Sequence, residues 1–137
     1  MSLQQIYQEY HQQVKFLKIY IREAHPVDGW WFGKGFTKIL IRLFSSKVSL
    51  DTYDPETIEE RRGAARECEQ SLQYGVKTYV DEIDDRVNKA YAAWPTRLYL
   101  IDRDGRVVYA GGLGPFGFKP GEFKTAIHTL LGEENTP

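Results

Sequence analysis

Near the start of the 137-residue chain, the stretch "YIREAHPVDGW" puts Glu23 two positions before His25 and Asp28 three positions after it. An imidazole beside carboxylates, where an apolar run ends, can handle protons. Histidine titrates near neutrality, and an acid neighbour holds its ring in one orientation. The same histidine could equally be a turn or capping residue, because Pro26 fixes φ and Gly29 admits positive φ. Two carboxylates around one histidine could also suggest a metal, but no second His or Cys stands in register, so no metal is expected. His11 and His128 fall on helical stretches with no second ligand nearby. The single thiol, Cys68, sits between Glu67 and Glu69, which oppose thiolate formation, and it reads as a core-facing structural residue. "GGLGPFG" follows a strand but lacks the spacing of a phosphate-cradling loop. Asp81, Glu82, Asp84 and Asp85 could attract a cation, although a solvated helix start explains them as well.

Bulk properties narrow the class. A formal net charge of −1 and a pI near 6.3 argue against nucleic acid as a partner. The sequence holds no apolar run of about 18 residues, and neither a membrane span nor a secretion signal is expected from it. One cysteine cannot form an intramolecular disulfide, which fits a reducing, cytoplasmic setting. The length suits one domain spanning 1–137.

The elements that must position these residues follow from periodicity. Leu3, Ile6, Tyr7, Tyr10 and Val14 recur at helical spacing. "VKFLKIYI" reads as a mostly buried strand with Leu17, Ile19 and Ile21 on one face. At about 30–50 lies a basic amphipathic insertion. Phe36, Ile39, Leu40, Leu43 and Phe44 share one face, and Lys34, Lys38 and Arg42 the other. It is either a surface helix over the core or a weak contact with a membrane surface or partner through Phe36–Phe44. Trp30, Trp31 and Phe32 precede it.

A second helix is signalled by Asp54 as N-cap, Pro55 at the first position and Gly75 past the end, with Ile58, Ala65, Cys68 and Leu72 as its apolar stripe. "VKTYVDE" is a strand, and Asp84 or Asp85 starts a short helix through Val87, Ala90 and Tyr91. "WPTRLYLIDRDGRVVYAGG" is a hairpin turning at Asp104-Gly105. A last helix begins near Pro120, buries Phe123, Ile127, Leu130 and Leu131, and stops at Gly132. Alternating helices and strands that end β-β-α spell an α/β, thioredoxin-like sandwich, a βαβ unit plus a C-terminal hairpin and helix. In that pattern Pro95 is expected to be cis.

Four stretches, "FLKIYIREAHPVDGW", "YDPETIEERR", "NKAYAAWPTRLYLID" and "VVYAGGLGPFGFKP", together resemble the iodothyronine deiodinase family and its bacterial relatives, from Leu3 to the last helix. The resemblance implies thiol/selenol oxidoreductase chemistry of the reductive dehalogenase type, with no bound cofactor and a thiol reductant as partner. It assigns proton transfer and substrate binding to His25, supported by Glu23, and site-shaping or substrate-contact roles to Trp30, Pro95, Arg97, Tyr91 and Gly114. It also implies an earlier strand and a loop bearing selenocysteine or cysteine at the start of the first helix. The matching residues begin inside that helix, and no cysteine stands in the nucleophile's place. The expected fold therefore lacks the usual first central strand, and the chain is expected to be incomplete or inactive by itself. The alternative is a non-catalytic thioredoxin-like binding or assembly module. An incomplete sheet exposes unpaired edges, from which a homo-oligomer is expected. Hormone-specific members are expected to carry an arginine in the G-G-x-G-P loop, where this chain has Leu113. That removes a charge-assisted contact to an anionic substrate, for which Arg97, Lys119 or Arg22 could compensate, and thyroid hormone is not the expected native substrate.

Overall fold

A computed structural model of the chain describes residues 2–23, 54–72 and 75–132. The expectations for His25, Trp30 and the basic stretch Phe36–Phe44 lie outside the described residues. The elements run α1 (Leu3–Tyr10), β1 (Lys18–Tyr20), α2 (Ile58–Leu72), β2 (Thr78–Val80), α3 (Arg86–Tyr91), β3 (Tyr99–Ile101), β4 (Val107–Ala110) and α4 (Pro120–Leu131). The mixed α/β class and the expected element order both hold. The chain forms two compact units: a terminal unit of Met1–Leu17 with Ala93–Pro137, and a central unit of Lys18–Ala92.

In the terminal unit, α1 starts at a capping box. The Ser2 hydroxyl accepts from the Gln5 amide, and the Gln5 side chain accepts from the Ser2 amide at 2.8 Å. Helical spacing then stacks Ile6 and Tyr10 on one face, which meets Phe123 and Ile127 of α4 and Leu100 of β3. Burying each such side chain contributes about 1.5–3 kcal/mol. The antiparallel β3–β4 pair joins Leu100 to Tyr109, which places both on the core side. The hairpin turn is wider than the expected two residues. Asp102 Oδ1 accepts from the amides of Asp104 and Arg106, and Gly105 supplies the positive φ of 81°. Pro120 opens α4 and Gly132 closes it in the left-handed conformation, as the sequence predicts. Leu130 is a correction: it is substantially exposed rather than buried.

In the central unit, β1 and β2 pair in parallel, Lys18 with Thr78, Ile19 with Tyr79 and Tyr20 with Val80, and α2 packs against β2. The first strand is shorter than expected, and its predicted buried face is largely the open one. Leu17 is 58% and Ile19 40% exposed, while Ile21 is buried. Ile19 lies beside the equally exposed Tyr79, and the half-buried Lys18, Tyr20, Thr78 and Val80 form the opposite side. A second correction concerns the start of α2. Thr57, not Asp54, caps the helix: its hydroxyl accepts from the Glu60 amide, and the Glu60 carboxylate accepts from the amides of Glu56 and Thr57. Cys68 is half-buried rather than in the core, and among the described side chains of α2 the buried ones are Ala65 and Arg61.

The acidic stretch after β2 is internally engaged. The buried carboxylate of Asp81 accepts from the backbone amides of Glu82, Val87 and Asn88 at 2.9–3.0 Å; Asp85 holds the N-cap position of α3, as expected, and Asp81 supplies the side-chain bonds to its first amides. Arg61, 2% exposed, donates to the Glu82 carbonyl at 2.6 Å and pairs with Asp85 at 2.9 Å. Asp85 itself is left-handed, at φ 60°. The strands thus form two separate pairs, and β1 and β3 each keep one edge without a ladder partner among the described residues.

Candidate active site

Glu23 leaves β1 three residues after Tyr20, whose hydroxyl donates to its carboxylate at 2.9 Å. The hydroxyl is half-buried. Burial, followed by the charge and the hydrogen bond of Glu23, pushes its pKa far above the ordinary tyrosine value, so Tyr20 stays a proton-bearing donor. Beside it, Arg22 forms an ion pair with Asp54. Cys68 is close enough to feel Lys18 and Glu23. Burial pushes its thiol up, Lys18 opposes that, and Glu23 and Glu69 add to it. A thiol so placed is a poor nucleophile.

Pro95, Arg97 and Gly114 come together in the terminal unit. The Trp94–Pro95 peptide is cis, as expected, and Gly114–Pro115 is cis as well. Arg97 Nε donates to the Gly111 carbonyl at 2.5 Å, and its guanidinium lies over the Tyr99 ring at 5.2 Å. The Gly114 amide donates to the Thr96 carbonyl at 2.9 Å, and a Cβ on Gly114 would overlap the Thr96 methyl. A Cβ on Gly117 would fall 2.6 Å from the Gly112 Cα, so the loop closes on itself only with glycine there. Leu113 and Phe116 project from this loop, Phe116 being 90% exposed.

Glu23 and Tyr91 belong to the central unit, where Tyr91 ends α3 with about a third of its surface open. Among the described residues no group of three or more His, Cys, Asp or Glu could hold a metal ion, and no helix is long and apolar enough to cross a membrane. Reading the sequence missed Tyr20, offered Arg22 only as a substitute for the loop arginine, and gave Asp54 to a helix cap. The available signal was the Tyr-x-x-Glu spacing at the strand exit, which returns a hydroxyl to a carboxylate once the strand stops.

The profile of the iodothyronine deiodinase family matches residues 1–130, and the chain belongs to that family. It is 34% identical over 123 residues to the thyroxine 5-deiodinase of Sparus aurata, covering 90% of this chain and 40% of that protein. It is 36% identical over 109 residues to the enzyme of the same name from Aquarana catesbeiana, covering 80% and 35%. To that of Homo sapiens it is 32% identical over 128 residues, covering 90% and 36%. The chain thus spans less than half the length of these relatives.

Proposed function

We propose that this chain supplies the proton-handling part of a reductive dehalogenase-type site on a thioredoxin-like scaffold. The nucleophile in this reading is a thiolate or selenolate from outside these 137 residues. It removes halogen from carbon, and that carbon receives a proton from His25; one thiol of the reductant then displaces halide to leave a mixed disulfide or selenosulfide, and a second thiol reduces that bond, releasing the nucleophile and a disulfide. Glu23 supports His25, while Trp30, Pro95, Arg97, Tyr91 and Gly114 shape the substrate space. The observation that carries the reading is the Tyr20–Glu23 hydrogen bond, which fixes the acid of the E-A-H-P stretch in a protein of deiodinase ancestry.

The test is thiol-dependent iodide release from an iodinated aromatic, measured for this chain and for a chain extended along the reading frame upstream of Met1. Turnover is expected only from the extended chain, and Glu23→Gln should lower it about a hundredfold. Full turnover with Gln at position 23 would refute the reading, as would turnover by the 137-residue chain that Cys68→Ser abolishes.

A non-catalytic binding or assembly module is the second reading, favoured by the raised thiol of the only cysteine. Under either reading the edges of β1 and β3 that have no ladder partner among the described residues suit a homo-oligomer, which light scattering at micromolar concentration would test. The thiol reductant suits a cytoplasmic setting. Weak membrane-surface contact through Phe36–Phe44 predicts sedimentation with anionic liposomes at low salt.

A further inference from the structure

Arg22 precedes Glu23 in the chain, and Tyr20 donates to the Glu23 carboxylate. Left alone, the Arg22 guanidinium would compete with the phenol, because a charge-assisted bond from arginine to a carboxylate outweighs one from a neutral hydroxyl. Asp54, 32 positions along the chain, holds the guanidinium instead. It also lies close enough to Tyr20 to be felt by the phenol, so Tyr20, Arg22, Glu23 and Asp54 form one cluster at the exit of β1. The pair is partly sheltered, with side-chain exposures of 39% for Arg22 and 22% for Asp54.

We infer that Asp54 is a positioning residue: by engaging Arg22 it keeps that cation off Glu23 and preserves the Tyr20–Glu23 hydrogen bond. The geometric claim stands without any catalytic role. Its functional meaning rests on the proton-handling reading of Glu23. The arrangement predicts an asymmetry that simple structural support would not produce. Removing Asp54 should harm Glu23, and removing Arg22 as well should undo the harm.

The test uses the full chain with 13C-labelled tyrosine, following the Tyr20 ring-carbon resonance and its alkaline titration. Asp54→Asn is expected to move Tyr20 towards the position of a free phenol and to lower its titration. The double variant Arg22→Gln/Asp54→Asn is expected to return the resonance to wild-type, while the titration stays lowered in both variants because the charge of Asp54, which itself raises the phenol, is gone from both. An unmoved resonance in Asp54→Asn overturns the inference, and so does a double variant displaced as far as the single one. If Asp54→Asn does not fold, the double variant decides. A wild-type resonance supports the inference, and a displaced resonance or an unfolded chain overturns it. In the turnover assay of the extended chain, Asp54→Asn should lower kcat about tenfold with KM unchanged, and should add nothing to Glu23→Gln. If Glu23→Gln leaves turnover intact, the proton-handling reading fails, while the Tyr20 resonance still reports on Asp54.

Discussion

The two units are held together by different means. The terminal unit closes around Ile6, Tyr10, Leu100, Phe123 and Ile127, and the one polar atom in that cluster, the Tyr10 hydroxyl, meets His128 Nε2 at 2.6 Å. Among its described residues the central unit buries only Ile21 and Ala65 of the apolar ones, together with Arg61 and Asp81. These described residues are held by directed contacts: Asp81 on three amides, Arg61 on the Glu82–Asp85 turn, Tyr20 on Glu23 and Arg22 on Asp54. Apolar area is non-directional and tolerates repacking, whereas a buried charge is tolerable only in the geometry that pairs it. The unit carrying Glu23 is therefore the one whose details are specified bond by bond.

The largest expected effect falls on the apolar side. Phe123→Ala should cost about 3–5 kcal/mol, read as faster amide exchange at Leu100 and Tyr109. Unchanged exchange there would mean that the five-residue cluster is not what closes the terminal unit. On the other side, Arg61→Met leaves Asp85 without its buried cation and should cost about 3 kcal/mol. Adding Asp85→Gly removes that charge and relieves a left-handed residue, which should recover about 1 kcal/mol. A double variant no more stable than the single one in urea would count against the pairing argument. Asp81→Asn retains an acceptor but loses its charge and one amide bond, for a cost of about 1 kcal/mol seen in exchange at Val87 and Asn88.

The smallest effect is alkaline. The pKa of Tyr20 is raised above its unfolded value near 10, so its contribution is fully present below about pH 10 and is lost as pH climbs beyond that. Tyr20→Phe should flatten this alkaline loss in the central unit and leave the terminal unit's profile unchanged. Identical pH curves for the two chains would rule out the buried phenol as its source.

The same contrast explains what could be read from the residues alone. The terminal unit was legible because its determinants are local or periodic: Ile6 and Tyr10 one helical turn apart, Phe123 and Ile127 likewise, Pro120 and Gly132 at the helix ends. Pattern reading sends charges to the surface, so Arg61 went unnoticed, Asp81 was read as one of a solvated acidic cluster, and Asp54 was assigned to a cap that Thr57 makes. For β1 the alternation was right, but its facing was not. Ile19 and Tyr79 share the side that no described helix covers, and periodicity alone does not say which side a helix will choose. Of the site, Glu23 stood out by its spacing to His25, whereas its partner Tyr20 was hidden in what reads as an apolar run.

The glycine contacts within 111–117 divide that loop into two kinds of position. A side chain at 112, 114 or 117 would force backbone apart or drive into Thr96, while 113 and 116 point away from the frame. In a saturation library the first three should accept almost nothing, and the other two almost any residue without loss of folding. Evolution, or an engineer, can therefore redraw what this loop presents to the outside through two codons, because the frame that holds them is built from residues that have no side chain to change.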